Sequence, residues 1–131
     1  MKIIQVRSHL KEEFLDITSN IKDIVASSGI KTGRCLIYVP HTTAAVTINE
    51  NADPSVRADI ISALNNIVPD SWPYKHLEGN SPAHIKASLI GSTETIIIEE
   101  GKLVLGTWQG IFFCEFDGPR IRKVYLKLFS D

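Results

Sequence analysis

Between Pro40 and Pro54 the chain sets out an imidazole, several hydroxyls and amides and two carboxylates, among them His41, Thr42, Thr43, Asn49, Glu50 and Asp53. The stretch follows an apolar run, Leu36-Ile37-Tyr38-Val39, that reads as a buried strand. Polar groups gathered where a rigid strand ends are a common way to build a site. Two more histidines follow, His76 in a Pro-, Gly- and Asn-rich stretch and His84 just inside a helical segment. Neutral imidazoles bind zinc, and three of them with a water make an open catalytic centre. The separations along the chain match no local zinc signature, so only the fold can bring the three together. Each histidine taken singly reads as a hydrogen-bonded boundary residue. Together, beside the acids, they point to a shared pocket with a divalent cation, zinc before others. His9, in the N-terminal segment, is left out.

Asn49, Glu50 and Asp53 are the candidate catalytic groups. A carboxylate can act as general base or orient a ligand histidine. Asp53 precedes Pro54 and also suits a helix N-cap, a role compatible with a place in the site. Glu50 has no such capping duty, and a hairpin-like return could bring it beside His41. Asp59 is a weaker candidate, on an exposed helix face.

Ser81-Pro82-Ala83-His84-Ile85-Lys86 has the makings of an anion site. Free N–H groups at a helix start attract phosphate, no acid occupies the first turn, and Lys86 adds a positive charge. Ser88 shares a helix face with His84. Arg120 follows the turn Asp117-Gly118-Pro119 and reads equally as a phosphate clamp or a strand-end charge. Trp108, between Gly106 and Gly110, reads as a pocket wall or as a core or interface aromatic. There is no P-loop, no dinucleotide fingerprint and no Gly-x-Ser-x-Gly elbow, so chemistry by those routes is not expected.

The elements that must position these groups follow from the pattern. Ile4, Val6 and Ser8 alternate as one face of a first strand, and Phe14 to Ile17 continue the sheet. Ile21, Ile24, Val25 and Ser28 form a helical stripe capped from Thr18, Ser19 or Asn20 and closed by Gly29. Strands are expected over residues 34–39 and 43–49. Val56, Ile60, Ile61, Leu64 and Ile67 mark a second helix, started by Asp53-Pro54 and ended by Pro69. A long polar and aromatic loop covers residues 69–81, and a short helix capped by Ser81 runs to Gly91. Strands near residues 95–98, 102–105, 109–116 and 121–129 complete the chain, the last two joined as a hairpin at Asp117-Gly118. Without strict βαβ alternation this is α+β: a single domain over residues 1–131 with a mixed, largely antiparallel sheet and two or three helices.

The 131 residues suffice for one core. The formal net charge of −1 argues against a dedicated nucleic-acid binder. No apolar run approaches the ~18 residues of a membrane span, so no membrane partner is expected. Residues 1–7 alternate like a strand and lack a signal peptide's apolar core, which implies a cytoplasmic setting. Cys35 and Cys114 form no Cys-x-x-Cys pair and read as buried free thiols.

Three runs carry a resemblance: His41-Thr42-Thr43-Ala44-Ala45-Val46-Thr47-Ile48-Asn49-Glu50-Asn51-Ala52-Asp53-Pro54, Glu78-Gly79-Asn80-Ser81-Pro82-Ala83-His84-Ile85-Lys86-Ala87-Ser88-Leu89, and Leu105-Gly106-Thr107-Trp108-Gln109-Gly110-Ile111. In this order they resemble the YjbQ family, UPF0047, over essentially the whole chain. The resemblance implies a homotrimer, a metal-bearing pocket whose ligands match His41, His76 and His84, and a weak secondary thiamine-phosphate synthase activity. The stretch Phe116-Asp117-Gly118-Pro119-Arg120 stands outside the three runs that carry the resemblance, so the resemblance implies no general role for Arg120. The expected function is a metal-dependent enzyme acting on a small phosphorylated molecule. The alternative is a non-catalytic protein holding a ligand or metal in the same pocket.

Overall fold

Alternation along the strands is the main determinant of the architecture. In the computed structural model, which describes Met1–Asp131, β1 (Lys2–Arg7) buries Ile4 and Val6 and exposes their neighbours. The other strands are β2 (Glu13–Asp16), β3 (Gly33–Tyr38), β4 (Ala44–Glu50), β5 (Thr93–Glu99), β6 (Lys102–Leu103), β7 (Gln109–Glu115) and β8 (Ile121–Ser130). The helices are α1 (Thr18–Ser28), α2 (Pro54–Ile67) and α3 (Ser81–Ile90). The chain is α+β as expected, but the strands divide into two sheets and every pairing is antiparallel. A five-stranded sheet has the order β1-β8-β3-β5-β6 and a three-stranded sheet the order β2-β7-β4.

The two sheets face each other across the main core. Ile4, Val6, Ile37, Ile98, Val124 and Leu126 come from the large sheet; Ala44, Val46, Ile111 and Phe113 come from the small one, and Ile21 and Val25 of α1 join them. The small sheet's opposite face carries Ala45, Phe112 and Cys114, packed under Leu64 of α2 and Ala83 and Ala87 of α3. Strand β7 is therefore covered on both faces, which explains its consecutive apolar residues Ile111, Phe112, Phe113 and Cys114. No helix is long and apolar enough to cross a membrane.

Four expectations change. The turn Asp117-Gly118-Pro119 is not a hairpin: β7 lies in the small sheet and β8 in the large one, so the turn carries the chain between sheets. Helix α1 starts at Thr18 itself, and Asp16 does the capping, accepting from the Thr18 amide (2.9 Å) and hydroxyl. Ser81 is the first residue of α3 rather than its cap; Asn80 precedes it and makes no capping bond. On α2 only Leu64 is fully buried, because one flank of the helix faces solvent and leaves Ile67 exposed. Asp53 does cap α2, accepting from the Ser55 amide at 2.9 Å, and Gly29 closes α1 in the left-handed conformation at φ 75°.

Candidate functional site

Pro40 ends β3 because it has no N–H for the ladder. Extending the β3–β8 register beyond Tyr38–Tyr125 places Pro40 opposite Lys123. The Lys123 amide donates instead to Nε2 of His41, at 2.9 Å. One imidazole thus completes the edge where the ladder stops, and this bond fixes the neutral ring with its proton on Nδ1. Burial lowers the His41 pKa below the ordinary imidazole value, and the Arg122 and Arg120 charges act the same way, against the Glu115 charge. The ring is neutral at pH 7.

Across from His41 runs the flank of α3. Val39 donates to the Ser92 carbonyl (2.8 Å) and Val46 to that of Gly91 (3.1 Å), which stitches the link after α3 to both sheets. Between these parts lies a cavity of about 500 Å³ walled by His41, Thr42, His84, Ser88 and Ser92. Ala44 and Ala87 give it a small apolar floor. His84 makes no side-chain hydrogen bond and meets His76 of the long loop edge to face, ring centroids 5.3 Å apart. The Ser88 hydroxyl donates to the His84 carbonyl (2.9 Å) and keeps its acceptor capacity.

The three histidines do not form a zinc site within this chain. His41 has its only free lone pair committed to Lys123, which leaves His84 and His76 as a pair. Nowhere do three or more His, Cys, Asp or Glu side chains gather as a cation would require. The residues present do not fit a three-imidazole zinc centre.

Glu50 and Asn49 also lie away from the cavity. Strand β4 is extended from Ala44 to Glu50, about 20 Å at ~3.3 Å per residue, so there is no hairpin-like return. At that far end the Asn49 side-chain oxygen accepts the Glu50 amide (2.8 Å), and Asp53 is occupied with the Ser55 amide and hydroxyl. Trp108 sits there too, its carbonyl accepting the Asn51 amide, and it walls no pocket with the histidines.

The start of α3 is not an anion site. It faces a crevice of about 20 Å³ bordered by Lys11 and Lys86 as well as Asp70 and Asp117, with room for one water beside the unpartnered Asn80 Oδ1 and none for a phosphate. Lys86 is buried and its ammonium is bound to Glu12 (2.8 Å) and to Asn65. Lys86→Met is therefore expected to cost about 1–3 kcal/mol of stability by stranding Glu12 and Asn65. Phosphate affinity is expected to stay unchanged; urea unfolding and a phosphate titration of the variant check both parts. Arg120 is committed to Asp117, through the carbonyl (2.7 Å) and the carboxylate (2.8 Å), and braces the turn between sheets.

The groups not anticipated are Ser92 and a buried network beneath the cavity. Glu115 is fully buried and accepts from Arg122 Nε (2.9 Å), from Arg122 Nη2, from the Ser8 hydroxyl (2.7 Å) and from the Asp117 amide (3.0 Å). Burial would raise its carboxyl pKa, but these hydrogen bonds and the Arg122 charge prevail and hold it below the usual range. The sequence did carry a sign: Arg122 occupies the apolar phase of β8, with Val124 and Leu126, and Glu115 interrupts an apolar run. Cys35 and Cys114 are free and buried, and burial pushes the Cys35 thiol up to about 11.

Residues 2–131 match the family model described as UPF0047 protein YjbQ-like. A UPF0047 protein of Methanocaldococcus jannaschii is 57% identical over 127 residues, spanning 97% of this chain and 92% of its own. YugU of Bacillus subtilis is 46% identical over 131 residues, spanning 98% of each. Among solved structures, a conserved YjbQ/UPF0047-family protein from Clostridium acetobutylicum superposes with a TM-score of 0.96 at 53% identity, covering 98% of this chain and 100% of that one. A YbjQ-like protein of unknown function from Sulfolobus solfataricus gives 0.95 at 38% identity, covering 99% and 96%. With residues 2–131 matched by the family model and relatives 46–57% identical over nearly the whole length, the chain belongs to the YjbQ-like UPF0047 family.

Proposed function

We propose that the cavity between His41 and His84 binds a small phosphorylated molecule and that the protein is an enzyme acting on it. The observation that carries this reading is the fixed state of His41. Its ring lines the cavity, is neutral, and keeps Nδ1–H as its one uncommitted polar group. A neutral donor of fixed tautomer suits an oxyanion, beside the hydroxyls of Thr42 and Ser92. His84 has both ring nitrogens free and is the group able to give or take a proton. A cavity of about 500 Å³ matches small-molecule sites. No step is assigned to a metal, because the side chains of one chain do not fit one.

Inorganic phosphate is expected to perturb the His41 and His84 ring resonances in an NMR titration, and His41→Ala to abolish the response. No perturbation of either ring up to molar phosphate would overturn the reading. A panel of phosphorylated substrates, with and without chelator, separates enzyme from binder; joining a pyrimidine pyrophosphate to a thiazole phosphate, the reaction the family resemblance implies, belongs in it. Binding without turnover of any member would favour the non-catalytic alternative.

Assembly as a homotrimer goes with this proposal. The outer face of the large sheet leaves Ile3 and Tyr38 exposed by 54% and 43%, on either side of Tyr125 of β8, and adjoining exposed apolar side chains mark contact surfaces. Light scattering at micromolar concentration is expected to give three times the 14.6 kDa chain mass; a monomer would refute it.

A further inference from the structure

The turn that carries His41 is gripped from beneath. Strand β8 reaches it twice, through the Lys123 amide on the imidazole and through the neighbouring Arg122 on Thr43. Arg122 Nη2 donates to the Thr43 hydroxyl at 2.8 Å and more weakly to the Thr43 carbonyl at 3.4 Å. That carbonyl also accepts the Phe116 amide, at 3.2 Å. Thr43 is buried, so its hydroxyl points at the guanidinium rather than at water.

Arg122 cannot drift, because Glu115 holds it by two bonds and is itself held by Ser8 and by the Asp117 amide. Ser8 extends the grip to β1: its hydroxyl accepts the Arg120 amide at 2.8 Å, and its own amide donates to the Arg120 carbonyl at 2.9 Å. The ends of β1, β7 and β8 are thus tied to the 41–43 turn through one buried cluster of four side chains: Ser8, Thr43, Glu115 and Arg122. None of the four lines the cavity. A buried ion pair is weak evidence for stability, since apolar replacements of similar volume often do as well. What apolar residues would not supply is a directional bond to Thr43, two residues from His41.

We propose that Arg122, seated by Glu115, is a positioning residue: through Thr43 it holds the 41–43 turn so that His41 keeps its bond to the Lys123 amide and presents Nδ1–H to the ligand. This rests on the cavity being the ligand site, but the state of the His41 ring can be read without any ligand. The charged and titratable groups around that ring are Arg122 and Arg120 from β8 and the turn before it, Glu115 from β7, and His84 across the cavity.

The test compares Thr43→Val, which removes the hydroxyl and leaves the ion pair intact, with Arg122→Lys, which keeps a charge and loses the fork. The readout is the pair of imidazole ¹⁵N shifts of His41, together with hydrogen exchange of the Lys123 amide. Wild type is expected to show one tautomer, protonated on Nδ1, and a protected Lys123 amide. In both variants the Nε2–H form is expected to appear and the amide to exchange at least about tenfold faster. Thr43→Ser, which restores the hydroxyl, is expected to return both signals to wild type. Inorganic phosphate affinity should fall about three- to tenfold in Thr43→Val, the equivalent of one hydrogen bond of ordinary strength.

Unchanged ring shifts and amide protection in folded Thr43→Val would overturn the proposal, as would a wild-type ring protonated on Nε2. If Arg122→Lys does not fold, Thr43→Val and Thr43→Ser decide alone. Absence of phosphate binding by wild type, with the ring signals behaving as described, would refute the cavity's function and leave the positioning role standing.

Discussion

Replacing Arg122 by Met is expected to destabilise the protein by about 3–5 kcal/mol at pH 7, a large share of a small domain's stability. The side chains are similar in length, so packing changes little. What changes is that the carboxylate of Glu115, wholly enclosed between the sheets, loses its counter-charge. The pair also gives the fold an acid dependence of definite sign. Because the Glu115 carboxyl titrates below its ordinary range in the folded state, its contribution is complete above the unfolded carboxylate value and is lost as pH falls through the depressed folded value. Wild type should weaken on acidification and the Met variant lose less over the same range. Urea midpoints measured at pH 7 and at several points below pH 5 check both statements. The double replacement Glu115→Leu with Arg122→Met is expected to recover much of the loss, since no buried charge is then stranded. A single variant with the wild-type midpoint would show that the pair is not desolvated as the fold implies.

His84→Ala is expected to lower turnover of any phosphorylated substrate at least ~100-fold, the lower range for loss of a general acid or base. Stability should change little, because the ring makes no side-chain hydrogen bond and is only partly buried. His76→Ala should have a smaller effect: His76 touches His84 edge to face and does not line the cavity. Steady-state rates for the two variants, beside their melting temperatures, separate a chemical role from a structural one. Glu50→Gln provides the contrast, since Glu50 lies at the opposite end of β4 and is expected to leave the rate near wild type. A loss in Glu50→Gln as large as that in His84→Ala would mean that the far end of β4 reaches the cavity of another copy. Equal rates in wild type and His84→Ala would remove the proton-transfer role.

Much of this protein was legible residue by residue wherever the determinant was local. Alternation placed β1, because successive side chains of a strand point to opposite faces, and apolar or β-branched runs placed β3 and β5. Asp53-Pro54 announced α2 and Gly29 closed α1, because capping is satisfied within a few residues. The α+β class followed from the order of the elements, and three sequence runs carried the family. His41 and His84 were likewise picked out by residue type and by their places at a strand end and a helix flank.

Tertiary structure decided whatever depended on which strands become neighbours. The Asp117-Gly118 turn reads the same whether β7 and β8 pair or part; only the packing of two sheets sends β8 into the larger one. That crossing puts the Lys123 amide under His41, so the imidazole that looked like a metal ligand completes a strand edge instead. It also puts Arg122 beside Glu115, seven residues back in the chain and in the other sheet. Lys86 looked free for phosphate because nothing nearby in the chain reveals Glu12, 74 residues away, as its partner. The unbroken extension of β4 then separated Glu50 from His41. Local sequence determines where the backbone bends and which face is apolar; the meeting of charges and donors from distant segments is set by how those faces stack, because a buried charge must find its partner across the core rather than along the chain.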